Sequence, residues 1–232
     1  MELKKIRNSM INRLIFISHP SVVNFRHRRN NRQGLEFWLD DDPFMFHIPK
    51  TGGTSIARAL GRPEPGHQTY KNLIKSYPNV EGKNNFFFVW RDPVERIAST
   101  YRYVLDLHRK FGSSNLPQVF YSKDINDFVQ NHLTKIDIER HYFLRPASVI
   151  TNGVDKGKLW ALNFKYLSES YHGFMESMGV VAPTLPHENK SSKYKYGDVN
   201  LTGSSVNIIN DLYSDDVYLG SILGDNYFVN FS

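Results

Sequence analysis

Cysteine is absent from the chain. Disulfides and thiolate metal sites are therefore excluded. A reducing compartment is compatible with this lack, and the cytoplasm is the expected location. Long apolar runs are missing as well. The longest near the N-terminus is Leu14 to Ile17, ended by Ser18-His19-Pro20, too short to span a bilayer or to form a secretory apolar region. No transmembrane segment is expected. There is no internal repeat, no low-complexity segment, and no Cys/His or carboxylate cluster that suggests a metal.

What is present is a chain of 232 residues, 40% hydrophobic and 14% aromatic. That composition belongs to a folded globular protein, and the length suits one α/β domain. The formal net charge of +6 suits an anionic partner without choosing among nucleotide, acidic glycan, nucleic acid and membrane surface. Much of the excess lies early, at Lys4, Lys5, Arg7, Arg13, Arg26, Arg28, Arg29 and Arg32. Residues 1–33 read as a solvated basic arm, with one short element at Ile11 to Ile17, and residues 34–232 as the folded domain.

Apolar patterning predicts the elements. Phe44 to Ile48 reads as a buried strand after the Asp40-Asp41-Asp42-Pro43 turn, and Phe86 to Trp90 as a second. Thr54 to Leu60 reads as a helix closed by Gly61. Arg91-Asp92-Pro93 breaks the second strand and starts a helix, with Asp92 as cap, Pro93 at the first helical position and Glu95 in the first turn. Val94, Ile97, Ala98, Tyr101, Val104 and Leu105 give that helix one apolar face. Asp124 to Leu133, Leu167 to Met178, Ser204 to Tyr213 and Asp215 to Leu223 read as further helices. Lys158 to Phe164 reads as a third strand, and Pro183 to Asn200 as a long loop. Strands alternating with helices predict a central, mainly parallel sheet flanked by helices in three layers.

Pro49-Lys50-Thr51-Gly52-Gly53-Thr54-Ser55 lies between a strand and a helix start. Backbone N–H groups at a helix start are unpaired and the helix dipole favours an anion there. Gly52 and Gly53 allow close approach of the backbone. Lys50 adds a charge, and Thr51, Thr54 and Ser55 add hydroxyls, a set that fits a phosphate or phosphosulfate. A nucleoside triphosphatase or kinase loop needs Lys-Ser/Thr directly after its last glycine. Here the lysine precedes the glycines, so an ATP-dependent kinase is only the alternative.

The string Phe46 to Ile56 resembles the 5′-phosphosulfate-binding motif of the family 2 (carbohydrate-type) sulfotransferases that use 3′-phosphoadenylyl sulfate (PAPS). Phe88 to Tyr101, with Arg91-Asp92-Pro93, Arg96, Ser99 and Tyr101, resembles the same family's 3′-phosphate motif. The resemblance implies a P-loop-like fold, PAPS as co-substrate, no metal, and an acceptor hydroxyl on a carbohydrate. It implies that Lys50 contacts the 5′-phosphate and the oxygen bridging to sulfur, that Thr51, Gly52, Gly53, Thr54 and Ser55 hold the phosphosulfate, and that Arg91 and Ser99 hold the 3′-phosphate. Physical reading agrees for Arg91, which stands at a strand's C-terminal end with a fork suited to phosphate oxygens. Asp92 reads more readily as a helix cap and Arg96 as a structural ion-pair partner.

Transfer to a hydroxyl needs a base, and histidine is suited by its near-neutral pKa. Gly66-His67-Gln68-Thr69-Tyr70 resembles the family's Gly-His-x-Thr segment, which implies His67 as catalytic base beside catalytic Lys50. His47 reads as a packed strand residue. His141 to Pro146 loosely resembles an acceptor-side segment in which Ala147 replaces the usual Gln, and His141 receives no catalytic role. Leu185 to Ser192 resembles a loop that closes over the nucleotide, implying contacts from Lys190 and Ser191. It precedes a helix ending Tyr213-Ser214-Asp215-Asp216, like the family's Tyr-x-x-Asp. At Asn163 to Leu167 the chain departs from the family's Arg-Tyr-Glu pattern. Nucleic acid is not an expected partner, although a non-catalytic polyanion-binding protein is a second alternative, and the oligomeric state stays open.

Overall fold

Five consecutive apolar residues, Phe86-Phe87-Phe88-Val89-Trp90, must be covered on both faces, which is the situation of a central strand in a parallel sheet. The computed structural model, which describes residues 34–39, 43–112, 114–186 and 200–231, places them there. Strand β1 (Phe44–Phe46) pairs parallel with β2 (Phe86–Trp90), with Phe44 opposite Phe86 and Phe46 opposite Phe88. Strand β3 (Leu159–Asn163) pairs parallel on the other side, with Phe88 opposite Ala161. The antiparallel strand β4 (Phe228–Asn230) closes the order β1-β2-β3-β4.

The helices are α1 (Gly53–Ala59), α2 (Tyr70–Ser76), α3 (Pro93–Phe111), α4 (Ala147–Thr151), α5 (Leu167–Ser177), α6 (Gly203–Leu212) and α7 (Ser214–Leu223). Shorter helical turns occupy 118–121 and 125–135. The expected mainly parallel sheet and its helices are therefore present. The expected helix over Asp124 to Leu133 begins at Ile125 and widens over Phe128–His132. Strand β4 and helices α2 and α4 were not expected from the sequence. The arm before residue 34, the Asp40 to Asp42 turn, and Lys190 and Ser191 lie outside the described residues. Among the described residues no helix is long and apolar enough to cross a membrane.

Apolar packing falls into two clusters. One surrounds the sheet, with Phe46, Phe86, Phe88, Leu162, Tyr171 and Phe174. The other lies between α3 and α6, with Ile97, Val104, Phe128, Leu133, Leu144 and Ile209. Asp92 caps α3 by accepting the Glu95 N–H at 3.0 Å, as its sequence predicts.

Arg96 crosses the second cluster at 1% exposure. Its guanidinium donates to the carbonyls of Phe143 (3.5 Å) and Leu144 (3.3 Å) and stands 3.9 Å from Asp216 Oδ2. Asp216 in turn accepts the N–H groups of Ala147 (2.8 Å) and Ser148 (2.9 Å), which starts α4. Tyr213 donates its hydroxyl to the Leu144 carbonyl at 2.6 Å. The Tyr213 and Asp216 pair thus fastens residues 143–148. Arg96→Met removes the cation and leaves Asp216 without it, so unfolding by urea is expected to show a loss of about 3–5 kcal/mol. A loss below about 1 kcal/mol would contradict this structural role.

Candidate functional site

The C-terminal ends of β1, β2 and β3 lead into three segments that meet. Open α/β sheets bind ligands at this edge. The β1 segment carries Lys50, held at φ 67, the one described non-glycine residue with positive φ. A left-handed non-glycine residue costs about 1–2 kcal/mol and marks a position fixed by its surroundings. Gly52, at φ 85, caps α1, and the N–H groups of Ser55 and Ile56 turn back to its carbonyl. A Cβ on Gly52 would stand 2.6 Å from Leu167 Cδ2, and one on Gly53 would stand 2.4 Å from His47 Cδ2. Gly52 is therefore required by its left-handed turn, and Gly53 by its packing against the His47 ring.

Lys50 is half-buried beside a second cation. Its Nζ lies over the Tyr103 ring, 4.1 Å from the centroid. Burial first, then the Arg91 charge, pulls its pKa down to about 8, against the opposing Asp106. Arg91 donates from Nη1 to the Lys50 carbonyl at 3.0 Å and from Nε to Glu95 Oε2 at 3.4 Å. The Arg91 guanidinium also lies over the Phe164 ring, 4.2 Å from its centroid, and burial lowers its pKa from the ordinary value. Two cations held close together in a partly desolvated place are stabilised by an anion between them.

Helix α3 forms the wall. Glu95, Ser99 and Tyr103 follow at i, i+4 and i+8 and share a stripe. The ends of the stripe touch Arg91 and Lys50, so Ser99 stands between the two cations, half-buried. The hydroxyls of the loop have different partners. Thr51 donates to the Ile48 carbonyl and Thr54 to Glu64 Oε1, each at 2.8 Å. Their protons are engaged within the protein, which leaves Ser55 as the loop hydroxyl suited to an anion. Thr51 and Thr54 can contribute through the backbone.

His67 approaches from the loop after α1. Its Nδ1 is 2.8 Å from the His47 carbonyl. A carbonyl only accepts, so Nδ1 carries the proton and Nε2 is the basic nitrogen of the ring. The ring stacks on Tyr142 at 5.7 Å and tilts against His47 at 4.6 Å. Arg145 fixes the segment from the other side, donating to the carbonyls of His67 (3.2 Å), Arg140 (3.2 Å) and Glu139 (2.5 Å). His47 is 5% exposed, and burial, followed by His67 and Lys50, lowers its pKa well below the ordinary value. His47 Nδ1 stands 3.3 Å from Glu64 Oε2, but it lacks hydrogen-bond geometry. A neutral ring makes this proximity rather than an ion pair. His47 is thus the packing residue its strand position predicts, and His141 stands outside the His67 and Lys50 cluster, bonded to the Asn115 carbonyl.

The structure brings Lys50, Gly52, Gly53, Ser55, Arg91 and Ser99 to one edge, with His67 linked to it through His47. Phe164, Tyr103 and Glu64 belong to the same constellation and were not singled out by sequence, whereas Tyr142 and Arg145 come from the segment His141 to Pro146 that loosely resembles an acceptor-side segment. Phe164 and Tyr103 had signals: the first residue after a parallel strand, and one turn beyond Ser99. A separate depression lined by Tyr70, Glu81, Phe86, Asp155 and Lys158 lies at the N-terminal ends of β2 and β3, away from these groups. Comparison with protein-family models, with curated proteins and with solved structures finds no match.

Proposed function

We propose that this chain is a sulfotransferase that takes its sulfuryl group from PAPS and delivers it to an acceptor hydroxyl. The observation that carries the reading is the convergence of Lys50 and Arg91, 41 residues apart in sequence and joined by a 3.0 Å hydrogen bond. Each stands beyond the C-terminal end of a parallel strand, one just before α1 and one just before α3, the helix that carries Ser99. A nucleotide with phosphates at both the 5′ and 3′ positions can offer each of these two neighbouring cations its own anionic group. The family 2 sulfotransferase resemblance assigns the same two residues to those two phosphates.

In this mechanism Lys50, the loop N–H groups and Ser55 hold the 5′-phosphosulfate, and Arg91 and Ser99 hold the 3′-phosphate. His67 Nε2 takes the proton of the acceptor hydroxyl. The acceptor oxygen–sulfur bond forms as the bond from sulfur to the 5′-phosphate oxygen breaks. The electron pair stays on that oxygen, where the Lys50 ammonium neutralises it. Catalysis is then positioning and charge stabilisation, with no metal-dependent step. The fold reading extends to a P-loop-like arrangement, and a carbohydrate is the acceptor that the resemblance suggests.

Calorimetry with 3′-phosphoadenosine 5′-phosphate tests the reading. Wild type is expected to bind it, and to bind ADP, which lacks the 3′-phosphate, at least about tenfold more weakly. Arg91→Ala is expected to weaken the first nucleotide by about 2–5 kcal/mol and to erase most of the preference over ADP. Absence of binding to wild type, or equal affinity for both nucleotides, would falsify the assignment. Magnesium-dependent turnover of ATP would favour the kinase alternative.

A further inference from the structure

Resting on the sulfuryl-transfer reading, we propose that the acceptor is an uncharged saccharide and that Glu64 is the side chain that selects it. A loop that holds only an anion gains nothing from a carboxylate beside it, yet Glu64 stands there. Its Oε1 accepts the Thr54 hydroxyl at 2.8 Å and its Oε2 stands 3.3 Å from His47 Nδ1. The side chain is 45% exposed, so the carboxylate also faces solvent.

This position is built rather than incidental. Fully buried Trp38 donates its indole N–H to the Pro63 carbonyl at 2.8 Å, and the Arg62 guanidinium lies over its ring at 4.9 Å. Gly34 packs so closely on the Glu64 carbonyl that a Cβ there would stand 2.4 Å from the oxygen. The segment 62–64 is thereby pinned, and Glu64 is presented beside Thr54 of the phosphate loop and His47.

Around it the lining is aromatic and its charges are balanced. Tyr103 is 37% exposed and meets Phe143 edge-on at 5.5 Å. Tyr142 stacks on His67. Asp106 acts on Lys50, and Glu64 and Lys110 act in opposite directions on Tyr103. Arg145, the cation nearest the His67 backbone, already donates to three carbonyls. Beyond the basic first 33 residues, positions 34–232 carry 21 Lys and Arg against 22 Asp and Glu.

A polyanionic acceptor needs a basic surface, and like charges at an interface cost several kcal/mol. An uncharged sugar needs acceptors for its hydroxyl protons and apolar ring faces for its C–H groups. Glu64 with Tyr103 and Tyr142 supplies the second set. During transfer Glu64 accepts from a hydroxyl adjacent to the reacting one. The reacting proton goes to His67, the new oxygen–sulfur bond forms, and the sulfur–phosphate oxygen bond breaks.

The test uses the full chain, radiolabelled PAPS and two acceptor pools. One holds uncharged oligosaccharides of glucose, galactose, mannose and N-acetylglucosamine. The other holds heparin, heparan sulfate and chondroitin sulfate. Label is expected in the uncharged pool. Glu64→Gln keeps the size of the side chain and an oxygen for Thr54. It is expected to lower kcat/KM on that pool by about tenfold or more, the range for a hydrogen bond to a charged group, while affinity for 3′-phosphoadenosine 5′-phosphate stays within about twofold. Label in the anionic pool, in both equally, or in neither despite nucleotide binding overturns the acceptor class. An unchanged kcat/KM in the Gln variant overturns the role of Glu64. Failure of wild type to bind 3′-phosphoadenosine 5′-phosphate is the separate result that sinks the sulfuryl-transfer reading itself.

Discussion

Lys50→Met is expected to abolish measurable nucleotide binding and, at the same time, to make the unliganded protein more stable. The reason for both lies in the partly desolvated ammonium. Removing a cation that meets a phosphate in a partly desolvated site costs about 2–5 kcal/mol, or roughly 30-fold and more in affinity. Without nucleotide, however, the charge is a burden. Its pKa is pulled down to about 8, below the unfolded value near 10.4. Below pH 8 both states are protonated and the folded state bears the full cost, on the order of 3 kcal/mol. From pH 8 to about 10.4 the folded state releases the proton first, so the cost fades and stability rises with pH. Methionine keeps the contact with Tyr103 and lacks the charge. Urea unfolding at pH 7 and at pH 9.5 measures the difference, which should be large at the first pH and small at the second. A Met variant less stable than wild type at pH 7, or one that binds 3′-phosphoadenosine 5′-phosphate within threefold of wild type, contradicts this account of Lys50.

How far the residues announced this arrangement depended on whether each signal was local. Strand β2 was legible because five apolar residues in a row leave a strand nowhere to go but a sheet interior. Helix α3 was legible because Asp92, Pro93 and the apolar spacing all act within the helix itself. By contrast, β4 has three residues and half-buried side chains. Its place comes from pairing along β3 and from the Asn163 N–H reaching the Tyr227 carbonyl, a contact between distant segments. Helix α4 starts on the carboxylate of Asp216, 69 residues away, so no local cap marks it. Helix α2 does carry a local cap, Thr69 accepting the Asn72 N–H at 3.2 Å. Its seven residues, with Tyr70 and Leu73 buried, are too few for a clear period.

The candidate site divides in the same way. Arg91 follows β2 directly and Lys50, Gly52 and Gly53 lie on the short connection from β1 into α1, so chain order alone places them at the sheet's C-terminal edge. Thr51 and Thr54 could not be told from Ser55 in the sequence, because their hydroxyl partners, Ile48 and Glu64, depend on how the loop turns. Arg96 was expected to be an ion-pair partner and is one, but its reach to Phe143 and Leu144 needed the fold. Glu64 had no signal: it follows Pro63 in a loop, and its fixed place comes from Gly34, Trp38 and Thr54, which are distant in sequence.

His67 is the residue whose loss should separate chemistry from binding most sharply. His67→Ala is expected to lower kcat by about 10²–10⁴ while leaving affinity for 3′-phosphoadenosine 5′-phosphate within about twofold, because in the proposed mechanism the imidazole serves the acceptor and not the nucleotide. A loss of that size has two explanations. The ring accepts the proton at Nε2, or it merely props the loop through its Nδ1 bond to the His47 carbonyl at 2.8 Å. Asparagine separates them, since its side-chain amide can still donate to that carbonyl but cannot act as a base. If His67 is the base, His67→Asn falls as far as His67→Ala; if it is a prop, Asn restores most of the rate. The pH profile gives a second reading. For wild type, kcat/KM should rise with pH as Nε2 loses its proton and fall again near pH 8 as Lys50 loses its own, because both groups are read in the free protein. In the Asn variant the rising limb should vanish and the falling limb should remain, since Lys50 is untouched. A rising limb that survives in His67→Asn would assign the proton to another group and remove His67 from the chemistry.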